Sequence, residues 1–139
     1  MDLNKEYLTD EKKEEEGVWE DFGNGCEVLI ASASNQKYED YLTEVTKPYL
    51  KQMRRGTFPK EKLKKITIKA MAKHIVLGWK HLFIGKKEIK YSEENAIMVL
   101  TKFKRFREDV SDFAQAIDGY KAEGEEIDKE NLSDTSNGG

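Results

Sequence analysis

Residues Ile66–Val99 read ITIKAMAKHIVLGWKHLFIGKKEIKYSEENAIMV, and the rest of the chain is placed by how they are divided. Ile66, Ala70, Ile75, Val76 and Trp79 recur at helical spacing, and Met71 widens the stripe. With the linker Thr57-Phe58-Pro59 before it, the spacing predicts a helix over Lys60–Trp79. The connector Lys80–Tyr91 is compact. Leu82, Phe83 and Ile84 precede Gly85, and Ile89 and Tyr91 follow it, as in a tight turn between two short extended arms. Ser92 opens a new helix, because its hydroxyl can satisfy an orphan N–H, and Glu93 and Glu94 complement the helix dipole. Ala96, Ile97, Val99 and Leu100 continue the apolar side. The core is expected around Trp79, with Tyr91, Ile97 and Phe113 as further structural members.

Upstream, Gly17–Ser34 places Val18 and Phe22 before Gly23-Asn24-Gly25 and Val28, Leu29 and Ile30 after it. Asn and Gly tolerate the positive φ of tight hairpin turns, so 17–34 is expected to be a β-hairpin with Trp19 covering one face. A lone hairpin is marginal in water and must pack on helices or on another chain. Asn35–Arg55 reads as helix on Tyr38, Tyr41, Leu42, Val45, Tyr49 and Met53, capped by Ser34 or Asn35. Pro48 lacks a donor and disfavours α conformation at Lys47. Either the helix kinks there, or a second one starts with Thr46 as cap and Pro48 in its first turn; Gly56 ends it in both cases. Downstream, Phe106, Val110, Phe113, Ala114, Ile117 and Tyr120 make one stripe of a last helix over Phe103–Tyr120.

These readings give a mainly α fold: a small domain of about four helices over 35–120, the hairpin 17–34, and acidic ends 1–16 and 121–139 expected to be disordered. Each end sums to a charge of -4, which leaves +5 on the middle of a chain whose net charge is -3. Few apolar residues punctuate the ends, so neither can offset its ordering entropy. Within the middle, Lys51–Lys73 holds nine Lys or Arg and one acid, Glu61. This is either the solvated face of two neighbouring helices or a surface for an anionic partner, nucleic acid or acidic protein.

Mean hydropathy of -0.79 and 37% charged residues imply that a sizeable fraction of the chain never packs, and no apolar run approaches the roughly 18 residues of a membrane span. The acidic Met1–Glu16 is unlike a secretory signal or transit peptide. Cys26 is the one cysteine, expected as a small strand residue in a reducing cytoplasm. His74 and His81, seven apart, are the only histidines and lack a cysteine pair or an orienting partner for zinc or acid–base work. Gly23 and Gly25 lack the third glycine and following helix of a nucleotide loop. The expectation is therefore a non-enzymatic protein without cofactor or metal.

Over roughly Glu16–Tyr120 the order of segments resembles the tail assembly chaperones of long-tailed bacteriophages. The resemblance rests on Glu16-Gly17-Val18-Trp19 with a short β segment, on Asn35 to Tyr38 leading to Lys47-Pro48-Tyr49, and on a helix ending at Trp79. It also rests on a basic connector, on the Tyr-Ser-x-Glu-Asn-Ala segment Tyr91–Ala96, and on a last helix before an acidic end. Where relatives often carry an acidic turn after the Trp, this chain has Gly85-Lys86-Lys87, so a contact made there differs in sign. The resemblance implies a protein of the host cytoplasm, absent from the mature virion, that binds the tape measure protein, helps bring tail tube subunits to it, and self-associates. A structural head–tail component of the virion shares this size and composition, and a nucleic-acid binder would use 51–73, although aromatics are not interleaved there as stacking platforms. The client surface is expected on the hairpin and the helix Asn35–Arg55, through Trp19, Val28, Ile30, Tyr38, Tyr41 and Tyr49, with large amphipathic tyrosines of the type enriched at interfaces. The same spacing also fits core-edge roles for the three tyrosines.

Overall fold

The computed structural model describes residues 1–8 and 10–117. Its order is α1 (Leu3–Glu6), α2 (Glu11–Glu16), β1 (Val18–Gly23), β2 (Cys26–Ile30), α3 (Gln36–Thr46), a 3-10 turn (Lys47–Tyr49) and α4 (Leu50–Arg55). There follow α5 (Lys60–His74), β3 (Val76–Lys80), β4 (Phe83–Ile84), β5 (Lys87–Glu88), α6 (Glu93–Lys102) and α7 (Lys104–Ala116). The expectation of a mainly α domain of about four helices is corrected. The fold is mixed α/β, with a three-stranded antiparallel sheet in the order β1-β2-β3, a two-stranded sheet β4-β5, and more than four helices.

The correction turns on Trp79. The expected helix Lys60–Trp79 stops at His74, and Val76–Lys80 becomes the third strand, paired antiparallel with β2. Val28 lies opposite Trp79, and Ile30 opposite Val76, with a register shift between Leu29 and Ile30 that leaves Leu77 as the extra residue. Hairpin β1-β2 forms as expected, through a two-residue turn in which Asn24 (φ 54°) and Gly25 (φ 80°) both take positive φ. β3 completes what a two-stranded hairpin could not stabilise alone.

Cys26, Val28, Ile30, Val76 and Trp79 form the buried face of this sheet. Ile68, Met71, Ala72, Val99, Leu100, Val110 and Ala114 of α5, α6 and α7 close the core over it. Phe22 adds ring contacts at 5.3 Å to Phe106 and 5.1 Å to Phe113. Trp79 is a core residue as expected, and Ile97 and Phe113 pack partly buried against the cluster. Tyr91 is 38% exposed, yet its ring meets Trp79 edge-on at 5.1 Å and its hydroxyl donates to the Val76 carbonyl at 2.9 Å.

The N-terminal segment also departs from expectation. Instead of disorder, Asp10 caps α2 by accepting from the Lys13 N–H, and the Ser32 N–H donates to the Glu14 carbonyl at 3.1 Å. Glu15 lies 3.7 Å from Lys37 of α3. Gly17, at φ 80°, then turns the chain into β1, where a Cβ would stand 2.9 Å from the Ile30 carbonyl oxygen. The expected acidic tail 121–139 lies outside the described residues, as does Tyr120. The last helix ends at Ala116, with Ile117 in extended backbone.

Candidate protein-interaction surface

Helix α3 starts at Asn35, whose side chain accepts from the Tyr38 N–H at 2.9 Å. The Nδ2 of the same residue donates to the Ser32 carbonyl at 2.6 Å and to the His74 carbonyl at 3.1 Å. One buried side chain thus caps the start of α3 and ties it to the end of α5. At the far end of the pair, Tyr49 sits 5.0 Å from Phe58, with the Lys62 ammonium 4.5 Å above the tyrosine ring. The two helical segments therefore run antiparallel as a hairpin joined by Gly56, which ends α4 in the left-handed conformation. At Pro48 the helix gives way to a 3-10 turn, the second of the two courses open to it, although the Thr46 hydroxyl bonds back to the Leu42 carbonyl at 2.6 Å instead of capping.

This hairpin is anchored at one end only. The buried residues of α5, Ile68, Ala70, Met71 and Ala72, all lie in its second half, and α3, the 3-10 turn and α4 contain no buried residue. The outer half exposes Leu50 and Leu63 among Lys51, Arg54, Arg55, Lys60, Lys62, Lys64 and Lys65. Of the bases in 51–73, Lys73 alone is within ion-pair distance of a carboxylate among the described residues, 2.8 Å from Glu93, and that bond raises its pKa. The His74 ring lies 5.5 Å from Tyr41, and burial followed by the charges of Lys73 and Lys37 lowers its pKa. The arm is thus an aromatic and aliphatic strip inside a positive field, a surface suited to an amphipathic partner carrying acids.

The expected client residues do not assemble as one surface. Register puts Trp19 with Leu29 and Gly78 on the outer face of the sheet, where the Lys80 ammonium covers its ring at 4.3 Å. Val28 and Ile30 point to the opposite face and are fully buried, so their place in a client surface is corrected: they are core. Tyr38 is half-buried against the core, and burial raises its pKa. Tyr41 and Tyr49 lie half-buried along the arm. Sequence reasoning missed the exposed Leu50, Leu63, Phe83 and Phe103. For Leu50, Leu63 and Phe103 the signal was local: each is a large apolar residue beside Lys or Arg, whereas Phe83 sits between Leu82 and Ile84 with no such sign.

The segments that carried the family resemblance have structural duties. Ser92 caps α6 by accepting from the Asn95 N–H at 3.0 Å, Asn95 Nδ2 donates to the Lys90 carbonyl at 2.8 Å, and Ala96 is fully buried. The Trp79 indole N–H donates to the Ile89 carbonyl at 2.7 Å. Together these bonds fasten the β4-β5 excursion between β3 and α6. Among the described residues there is no cluster of three or more His, Cys, Asp or Glu that could hold a metal ion, and no helix is long and apolar enough to cross a membrane.

No curated protein and no solved structure matches the chain. Residues 33–131 match the model of a phage family, described as the YdaY prophage protein. That span is most of the 139 residues and takes in α3 through α7. It covers both the arm and the fastening around Trp79, and by it the chain is phage-derived and belongs to the YdaY prophage protein family.

Proposed function

We propose that this prophage protein is a tail assembly chaperone that acts in the host cytoplasm without catalytic activity. In this reading it binds the tape measure protein, keeps it soluble and helps bring tail tube subunits to it. The observation that carries the reading is the α3–α5 arm, whose outer half shows Leu50 and Leu63 to solvent, beside the half-buried Tyr49, within a field of bases. Two helices that cannot bury their own apolar side present a surface for a third, and a long helical client supplies it. Phage origin and the order of segments from Gly17 to Ala96 support the same reading.

Co-expression with a helical tape measure fragment from the same prophage tests it. The protein keeps the fragment soluble and co-purifies with it, while Leu50→Glu or Tyr49→Ala abolishes co-purification and leaves the helical circular dichroism unchanged. A folded variant that still holds the fragment removes the arm from the client surface. The exposed bases of 51–73 favour one second reading, nucleic acid. Duplex binding that falls steeply between about 50 and 200 mM salt, without preference for the fragment, would replace the chaperone assignment. Recovery of the protein from purified virions would replace it with a structural one.

A further inference from the structure

A second surface lies away from the arm, where β4 meets the α6–α7 corner. Leu82, Phe83 and Ile84 form one wall of a groove of about 540 Å³, and Val99, Phe103 and Phe106 form the other. Phe83 is 53% exposed and Phe103 37%, although both are large apolar rings. The rim is basic: Lys102, Lys104 and Arg105 border the same groove.

The charge there runs against the usual rule for helix ends. Helix α7 begins at Lys104 with no acid in its first turn and no side-chain cap from Phe103. A helix N-terminus already carries partial positive charge and is stabilised by carboxylates. Here Lys104, Arg105 and Arg107 stand in that turn and Lys102 ends α6, and Lys102, Lys104 and Arg105 have no carboxylate within ion-pair distance among the described residues. Arg107 alone of the bases in that turn is occupied, since it donates to the Leu100 carbonyl at 2.7 Å and closes α6. The fold thus concentrates uncompensated positive potential around an exposed apolar groove, and an occupant that brings carboxylates offsets both costs.

We propose that this groove docks an acidic amphipathic segment of a partner protein, with its apolar residues between Phe83 and Phe103 and its carboxylates on Lys102, Lys104, Arg105 and the open N–H groups of α7. The inference does not depend on what the α3–α5 arm binds. The probe is a fluorescein-labelled peptide with leucines at helical three–four spacing and glutamates on both flanks. A matched peptide has lysine for every glutamate.

Fluorescence anisotropy with the full-length protein is expected to show saturable binding of the glutamate peptide and at least about tenfold weaker binding of the lysine peptide. Phe83→Ser and Lys104→Glu should each weaken the glutamate peptide by about tenfold. Lys104→Glu places an acid in the first turn of α7, so its Tm should hold or rise, which separates lost binding from lost fold. Equal binding of the two peptides, or binding unchanged by both variants, overturns the proposal. So does a tenfold gain in affinity when Glu125→Lys, Glu126→Lys and Asp128→Lys are made together, because the chain's own acidic end would then be the occupant. Loss of self-association in Phe83→Ser by sedimentation, with no peptide binding to either protein, would give the groove to a second copy instead.

Discussion

Asn35→Ala is the most informative single change to the fold. Asn35 is 1% exposed and makes three side-chain hydrogen bonds, to Tyr38 N, Ser32 O and His74 O. Alanine removes the N-cap of α3, which costs about 0.5–2 kcal/mol. It also takes the side-chain donor from the His74 carbonyl, and a polar group left unsatisfied in the interior costs about 1–3 kcal/mol. The Ser32 carbonyl keeps one partner, because the Asn35 backbone N–H also donates to it at 3.0 Å. The expected loss is therefore about 2–4 kcal/mol, a large share of the roughly 5–15 kcal/mol that holds a domain together. At roughly 3–6 °C for each kcal/mol, Tm falls by about 6–24 °C. Urea unfolding followed by the fluorescence of the buried Trp79 measures it. Asn35→Asp sharpens the test, since it keeps the capping oxygen and turns a carboxylate toward two carbonyls where a donor stood. That penalty belongs to the ionised form, so the folded-state pKa of the new Asp lies above its unfolded value, and stability is regained as pH falls through the folded value. A loss below about 1 kcal/mol for the alanine variant would refute the idea that Asn35 joins α3 to α5.

Trp79→Ala is expected to cost about 3–5 kcal/mol by denaturant melts, and Trp19→Ala clearly less, because Trp19 covers only the outer face of the sheet. Gly17→Ala sets a Cβ against the Ile30 backbone at a φ of 80° and should destabilise by about 1–3 kcal/mol in the same assay. His74 has a pKa lowered by burial and by Lys73 and Lys37, so the unfolded chain binds its proton first. Its contribution is present above the unfolded value near 6.5 and is lost as pH falls below it toward the folded value; His74→Gln should flatten the stability profile on the acid side of that unfolded value.

Local chemistry made much of the fold legible. Gly23-Asn24-Gly25 marks the hairpin turn, Ser92 is the expected cap, Asn35 is the cap of the two residues, Ser34 and Asn35, that the sequence offers, and Gly56 stops its helix in the left-handed conformation. The N-terminal helices were hidden because α2 is held by a backbone bond from Ser32 to the Glu14 carbonyl, which no side-chain pattern announces. Strand β3 was hidden for a more instructive reason. An undistorted strand places same-face residues two apart. The extra residue Leu77 pushes Val76 and Trp79 three apart while both still face the core. The bulge thus gives a strand the spacing of a helix, and it directly follows a true helix of the same periodicity. Composition could have arbitrated: Val76-Leu77-Gly78-Trp79 is poor helix material next to Lys60–His74.

The same parity argument explains the candidate surfaces. Trp19 and Val28 are both apolar and both in the hairpin, so sequence alone grouped them, but the register that pairs Glu20 with Val28 and Trp19 with Leu29 sends them to opposite faces. Once α5, α6 and α7 close over the sheet, the hairpin has no exposed inner face left to offer a client, and Val28 and Ile30 become the floor of the core. What remains accessible is what the core does not reach: the outer half of the α3–α5 arm and the corner at Phe103. The arm could be anticipated, because its tyrosines and bases lie within one stretch. The groove could not, since its walls come from β4, α6 and α7 and meet only in three dimensions. Its one local sign is Lys102-Phe103-Lys104-Arg105, a helix start written with bases where acids belong. Such a conflict between a local rule and the fold that contains it is expected where a surface is reserved for something other than folding.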